Sequence, residues 1–281
     1  MTSSSEVREL LSRFGLRARK SLGQNFLVDD GALDRIVAAA ELSREEVALE
    51  IGPGLGTLTK RLARTAGRVV AVEIDPHLMP VLRDALAAYP NVQLVHGDIL
   101  QLDLAALLAD RQTIRPVRYK VVANLPYYIT SAIVRHLLEA AFKPSRLILT
   151  VQHEVAQRLT ATPGDLSLLA VSVQFYGRPS IIARVPAGSF YPAPQVDSAV
   201  VRIDVHPQPP VAVEDVDRFF DVVRAGFGQR RKQLHNALKA GLPAPAEAIA
   251  AALAQAGIDG RRRAETLTLE EWAALTRALR P

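Results

Sequence analysis

Asn124, Leu125, Pro126 and Tyr127 stand in a row where an apolar run, Tyr119 to Ala123, ends. An amide, a carbonyl, a ring-fixed turn and an aromatic in that order are suited to gripping a planar amine that is a poor nucleophile. An Asn124 side-chain oxygen and the Leu125 carbonyl can accept the two hydrogens of such an amine. The nitrogen then becomes pyramidal, with its lone pair aimed at an electrophile. Pro126 fixes the turn, and Tyr127 can stack on the ring that carries the amine. No strong general base is required, because the proton can leave after attack; positioning and charge arrangement supply most of the effect. Asn-x-Pro is also a plain strand terminator, so the surrounding elements have to decide. Phe190-Tyr191-Pro192-Ala193-Pro194-Gln195-Val196-Asp197-Ser198 offers Phe190 or Tyr191 as a second ring for the same base. Loop packing alone would also explain those aromatics.

The element that must position this chemistry lies upstream. Leu-Glu-Ile-Gly-Pro-Gly-Leu-Gly-Thr, residues 49–57, closes an apolar run, Val47 to Ile51, with Gly52, Gly54 and Gly56, and a helical pattern over Leu55 to Ala66 follows. That is a strand, a tight turn open to positive φ, and a helix whose free N–H groups face a ligand. A second strand, Arg68 to Ile74, carries Glu73 at its tip, where a carboxylate can accept from two ribose hydroxyls. A third, Val92 to His96, ends in Gly97-Asp98, where Asp98 can accept from an adenine amino group. Ile74 and Ile99, the next residues along, join the expected cofactor set. A dinucleotide fingerprint wants G-x-G-x-x-G; here the third glycine comes one residue early and Thr57 holds its place. No phosphate loop of the G-x-x-x-x-G-K-[ST] type occurs. The ligand that suits a phosphate-free turn is S-adenosyl-L-methionine. An adenine inside a duplex cannot reach such a pocket, so the target base is unpaired or flipped out.

The chain has 281 residues, no cysteine and a net charge of +5. Lack of cysteine excludes disulfides, thiolate metal sites and a cysteine nucleophile. The six histidines show no metal-ligand spacing, so no metal is expected. No apolar run of about 18 residues and no signal-peptide pattern occurs, which points to a cytoplasmic protein without a membrane. The charge is segregated. Residues 29–206 are balanced, whereas residues 1–28 carry 5 basic against 2 acidic side chains and residues 207–281 carry 11 against 9. Basic ends on a neutral body suit a phosphate backbone. Arg17, Arg19 and Lys20 at one end, with Arg230, Arg231, Lys232 and Arg261, Arg262, Arg263 at the other, are the expected RNA contacts.

In chain order, Met1 to Ser5 is expected to be disordered and Glu6 to Phe14 a short helix. Gln24, Asn25 and Leu27 end a stretch that reads either as a plain linker with three cations or as a segment folded over the cofactor, and Asp29 or Asp30 caps the next helix. Strands at Tyr119–Ala123 and Arg146–Gln152 follow, with a helix over Ser131–Ala141 between them. Leu166–Phe175 reads as helix, although its second half also suits a strand; Ser180–Val185 and Ser198–Val205 read as two further strands. Alternating strand and helix implies a doubly wound α/β sheet. His206-Pro207-Gln208-Pro209-Pro210 is a stiff linker, and every periodic segment beyond it is helical. Three parts are therefore expected: a basic segment over the cofactor (1–28), an S-adenosylmethionine-binding catalytic domain (29–206) and a helical RNA-binding domain (207–281), in a chain that needs no oligomer.

Five motifs in order now carry a resemblance. Gly-Gln-Asn-Phe-Leu (23–27), Glu-Ile-Gly-Pro-Gly-Leu-Gly-Thr-Leu-Thr (50–59), Asn-Leu-Pro-Tyr-Tyr-Ile (124–129), Phe-x-Pro-x-Pro-x-Val-Asp-Ser (190–198) and Phe-Gly-Gln-Arg-Arg-Lys (227–232) resemble those of the ribosomal small-subunit RNA adenine dimethyltransferases. The resemblance runs from about residue 16 to the C-terminus. It implies a class I (Rossmann-like) methyltransferase with a seven-stranded, mostly parallel sheet and a small C-terminal all-helical domain. It implies dimethylation of two adjacent adenosines near the 3′ end of 16S ribosomal RNA, within an assembling 30S subunit. Implied cofactor contacts are Asn25, Leu27, Gly52, Glu73, Asp98 and Asn124; implied base contacts are Asn124, Leu125, Tyr127 and Phe190. Pro163-Gly164-Asp165 runs straight into Leu166-Ser167, where that family usually has a longer loop. Three other readings stand beside this one. A large-subunit RNA methyltransferase of the macrolide-resistance type shares the cofactor turn, a mainly RNA-binding assembly factor would share the fold, and a nicotinamide-dependent oxidoreductase would use a similar glycine turn.

Overall fold

A computed structural model of the chain describes residues 4–109 and 118–279. Met1 to Ser3 of the segment expected to be disordered lie outside those residues. Ser4 and Ser5, expected to be disordered too, instead open helix α1 (Ser4–Arg13), which buries Val7 and Leu11. Those two side chains join a cluster with Phe26, Leu55, Leu78 and Leu82, and that burial is what orders the start of the chain.

The chain forms two compact units, residues 1–156 with 178–205, and residues 157–177 with 206–281. This differs from the expected division in two ways. Residues 1–28 belong to the first unit instead of standing as a separate segment. Residues 157–177, expected in the catalytic domain, cluster with the C-terminal helices, because the helix they contain is apolar around most of its circumference and is walled in by the aromatic side chains of that unit.

Strand β1 (Phe26–Leu27), helix α2 (Asp30–Ala40), strand β2 (Val47–Ile51), helix α3 (Thr57–Thr65), strand β3 (Arg68–Glu73), helix α4 (Met79–Leu86) and strand β4 (Val92–His96) build half of the first unit. Helix α5 (Leu104–Leu108), strand β5 (Tyr119–Asn124), helix α6 (Thr130–Glu139) and strand β6 (Arg146–Gln152) continue it, and helix α7 (His153–Leu159) begins in it and ends in the second unit. After helix α8 (Leu168–Tyr176) come strands β7 (Gly177–Val185), β8 (Phe190–Tyr191) and β9 (Ser198–Val205). The main sheet has seven strands in the order β4-β3-β2-β5-β6-β9-β7. Its first five run parallel, and β9 pairs antiparallel to β6 with Thr150 opposite Val200. β2, fully buried, lies in the middle of the parallel part, which explains its unbroken apolar run apart from Glu50. The order reverses at β2, so the crevice above the carboxyl ends of β2 and β5 is where a ligand belongs.

The second unit gathers α8 with α9 (Val216–Phe227), α10 (Leu234–Gly241), α11 (Ala246–Gln255) and α12 (Leu269–Ala278). Its core is aromatic: Phe175 stacks on Phe219 at 4.8 Å, and Trp272 is fully buried. Gly226 is required there, because an added Cβ would sit 2.4 Å from the Trp272 ring. Gln229 and the basic residues Arg230, Arg231 and Lys232 form a turn ahead of α10.

Candidate active site

At the crevice all three glycines of the 52–56 turn take left-handed backbone angles, with φ of 70°, 59° and 77°. Side chains there would be strained. Gly54 has a second reason to be bare: a Cβ would lie 3.0 Å from the Phe26 ring of the overlying segment. The Gly54 N–H donates to Glu73 Oε2 (3.2 Å), while Glu73 Oε1 accepts from the Asp75 N–H (2.8 Å). The tip of β3 is thereby tied to the turn after β2. Burial pushes the Glu73 carboxyl above its ordinary range, against the hydrogen bonds it accepts from Asp75 and Gly54.

The cleft is walled by residues 22–27, by the glycine turn with Glu50, Glu73 and Ile74, and by residues 124–127. Of the sites expected from the sequence, the structure brings Gln24, Asn25, Leu27, Gly52, Gly54, Glu73, Ile74, Asn124, Leu125, Pro126 and Tyr127 together around it. Gly56 turns the chain into α3 but does not line the cleft. Asp98 and Ile99 lie beyond its wall, one strand further along the sheet edge, where Gly97 N–H donates to the Glu73 carbonyl (2.9 Å). Asp98 accepts from the Leu100 N–H (3.0 Å).

Asn124 is oriented by the segment above it. Its Nδ2 donates to the main-chain carbonyl of Asn25 (2.9 Å), and Asn25 Nδ2 donates to the carbonyl of Gly23 (3.1 Å). Among the described residues, Asn124 Oδ1 and the Leu125 carbonyl accept nothing. Two acceptors are therefore left side by side at the end of β5. Tyr127 shares a hydrogen bond with Ser198 Oγ (2.7 Å), and burial keeps its phenol protonated.

Three expected roles change. Gln24 touches the cleft but spends its amide on structure: Nε2 donates to Asp75 Oδ2 (2.8 Å) and Oε1 accepts from the Arg19 N–H (2.8 Å). Arg19, expected on RNA, pairs with the same Asp75 (3.2 Å). Phe190, expected on the base, is 2% exposed and packs inside the first unit with Leu33, Val185 and Val200. It does not line the cleft. Its strand pairs with β1, Leu27 opposite Phe190 and Phe26 opposite Tyr191, so its aromatic mass holds the overlying segment down. Sequence reading misses this pairing, because two residues are too few to show a period. It also misses Asp75, 1% exposed, which gathers Arg19, Gln24 and His77.

The expected RNA contacts also divide. Arg230, Arg231 and Lys232 are exposed, with no ion pair among the described residues, as are Arg17 and Lys20. Arg262 is a structural group: it makes a two-pronged bridge to Glu271 and also bonds Thr266. Arg261 pairs with Asp259 (2.9 Å), and Arg263 lies 3.7 Å from Glu265.

The donor set tests the expected cofactor. The cleft wall contains no Lys, Arg or His among the described residues, but two carboxyl groups, Glu50 and Glu73. Glu50 is buried, its Oε2 has no hydrogen-bond partner, and burial with the nearby Glu73 raises its carboxyl to about 8. With no basic side chain to meet it, a pyrophosphate would be desolvated there without compensation, whereas a phosphate-free adenosine needs no such partner.

A model of the ribosomal RNA adenine dimethylase family matches residues 15–280. The chain belongs to that family. Relatives named ribosomal RNA small subunit methyltransferase A include one from Dehalococcoides mccartyi, 47% identical over 96% of this chain and 91% of its own length. Another, from Geobacillus thermodenitrificans, is 48% identical over 98% and 95%. Among solved structures, the 23S rRNA methyltransferase ErmE is 31% identical, with a TM-score of 0.71, over 91% of this chain and 99% of its own. A dimethyladenosine transferase from Plasmodium falciparum shares the fold at a TM-score of 0.75 and 23% identity, over 89% and 95%. The first unit of this dimethylase is thus a class I methyltransferase fold.

Proposed function

We propose that this chain transfers methyl groups from S-adenosyl-L-methionine to the N6 amino groups of two adjacent adenosines in the 3′-terminal hairpin of 16S ribosomal RNA. It is an rRNA adenine dimethyltransferase. The observation that carries the reading is the orientation of Asn124, whose Nδ2 is spent on Asn25 so that Oδ1 remains as an acceptor beside the Leu125 carbonyl. Those two oxygens take the amine's hydrogens, and Tyr127 offers its ring to the base. When bound, the donor supplies an electrophilic methyl on a positively charged sulfur. Glu73, tied to Gly54, is placed to accept the ribose hydroxyls, the Gly52–Gly54 backbone cradles the ligand, and Asp98 is in reach of an adenine that extends along the strand tips. Asn25, Leu27 and Ile74 line the same cleft.

Small-subunit relatives at 47–48% identity support this substrate over the large-subunit one, for which the similarity is 31%. Exposed Arg230, Arg231 and Lys232 of the helical unit, with Arg17 and Lys20, supply phosphate contacts that position the RNA. The work is done by a monomer in the cytoplasm, late in 30S assembly. No helix among the described residues is long and apolar enough to cross a membrane. The test is methyl transfer to undermethylated small and large subunits assayed separately, followed by nucleoside analysis. N6,N6-Dimethyladenosine in the small subunit alone is expected; label confined to the large subunit would overturn the substrate.

A further inference from the structure

A ring stands in solvent at the rim of the cleft. The 3-10 turn over Tyr127–Ile129 places two tyrosines in succession. Tyr127 lines the cleft and is anchored through Ser198. Tyr128 does not line it and is 62% exposed, the most exposed of the large apolar side chains described. Its hydroxyl makes no hydrogen bond among the described residues.

The ring is nevertheless held in place. A Cβ on Gly23 would lie 3.4 Å from Tyr128 Cε1 and 3.3 Å from Pro126 Cβ. The side chain of Tyr128 therefore leans on bare backbone of the segment that roofs the cleft, and Gly23 and Pro126 are themselves part of the cleft wall. One edge of the ring is supported and the rest is offered outward. A ring held along one edge at the rim of the cleft presents a flat face on which a base can stack.

We propose that Tyr128 is a second base platform, which stacks on the adenosine adjacent to the one held at Asn124. This rests on the reading above, that two neighbouring adenosines are the targets. When one base is drawn into the cleft, its neighbour loses its stacking partner and emerges at the rim, one nucleotide away. The Tyr128 ring replaces that lost stack, so the cost of extruding the first base falls. Base–aromatic stacking tolerates any base and needs no hydrogen-bond code, which fits a ring whose hydroxyl is unpaired. The two adenosines exchange places between rounds of methylation, and Tyr128 holds whichever one is outside the cleft.

The test compares Tyr128→Ser, Tyr128→Phe and Tyr128→Trp with wild type on undermethylated small subunits. A hairpin RNA carrying 2-aminopurine beside the target adenosine is followed in parallel. Tyr128→Ser is expected to lower kcat/KM for RNA about tenfold, the size of one base–aromatic stack, and to abolish quenching of the 2-aminopurine. Phe and Trp should restore both to within about twofold. Affinity for S-adenosylmethionine, measured by calorimetry, should stay at the wild-type value in all three. Unchanged kcat/KM and quenching in Tyr128→Ser would overturn the proposal. So would failure of Phe to rescue, or a parallel loss of donor affinity, since either makes the residue a structural part of the rim. A wild-type chain inactive on small subunits would remove the reading beneath it, and the proposal with it.

Discussion

Asn124 and Asn25, 99 residues apart in sequence, meet through a 2.9 Å hydrogen bond from the side chain of one to the main chain of the other. The bond does two things at once. It pins the roof segment to the end of β5, and it decides which end of the Asn124 amide faces a base.

Asn124→Asp replaces that donor by an oxygen and sets it against the Asn25 carbonyl. Methyl transfer should fall by at least about a hundredfold, as when one preorganised polar group is lost from a reacting centre. RNA affinity, dominated by phosphates, should hold within about twofold. Tritium transfer from labelled donor and filter binding measure the two; transfer within tenfold of wild type would remove Asn124 from the centre of the mechanism.

Asp75 is the clasp of the roof. Burial would raise its carboxyl, but hydrogen bonds from His77 and Gln24, with the Arg19 charge, outweigh burial and hold it below its ordinary value. Its contribution is therefore complete above the ordinary carboxylate pKa and is lost only as pH falls through the lowered one. Amide exchange in residues 17–27 should remain slow down to about pH 4 in the wild type. Asp75→Asn should accelerate it and weaken donor affinity about tenfold, the loss of one charge-assisted hydrogen bond. Exchange indifferent to this substitution would mean the roof is held elsewhere.

Glu50 has the opposite sign. Burial, with Glu73 nearby, raises its carboxyl to about 8. As pH climbs from the ordinary glutamate range toward that value, the unfolded chain gives up a proton that the native state keeps. Stability falls through that window and levels off above it. Glu73, also raised by burial, adds to the same trend. Glu50→Gln should melt with the wild type near pH 4 and above it near pH 9. Melting curves that stay parallel at both pH values would contradict a buried, proton-retaining Glu50.

Phe190→Ala should act on stability. Removing a fully buried phenylalanine costs about 3–5 kcal/mol, and the β1–β8 pair would loosen with it. Phe190→Leu, which refills most of the space, should restore both the denaturation midpoint and methyl transfer. An alanine variant as stable as wild type yet inactive would return Phe190 to the role of base platform.

The basic clusters separate by assay. Replacing Arg230, Arg231 and Lys232 with alanine should weaken RNA binding and flatten the dependence of log K on log salt by up to about 2–3, one count per phosphate lost. Arg262→Ala should instead lower the melting temperature, by an amount corresponding to about 1–2 kcal/mol, because Glu271 and Thr266 lose their partner. A salt slope equal to wild type in the triple variant would place the RNA elsewhere.

Much of this site is legible in local pattern. Strands buried on both faces leave continuous apolar runs, so Val47–Ile51 and Arg146–Gln152 stand at the expected residues. The glycine turn announces itself because three left-handed positions tolerate little else. Other features have no local signal. Gln24 and Asp75 are 51 residues apart, and polar pairs at that range leave no periodic mark. Phe190 reads as a functional ring because aromatic residues between prolines look the same whether they face a ligand or a core. Helix α8 shows its apolar character, but apolarity does not say which core will receive it.

A wall with two carboxyl groups and no basic side chain also governs what stays out. Most adenosine compounds in a cell carry phosphates, and each would have to shed the water around them with no cation waiting to replace it. The crevice consequently sorts nucleotides by charge before shape is consulted, so abundant energy-carrying nucleotides should be poor competitors for it.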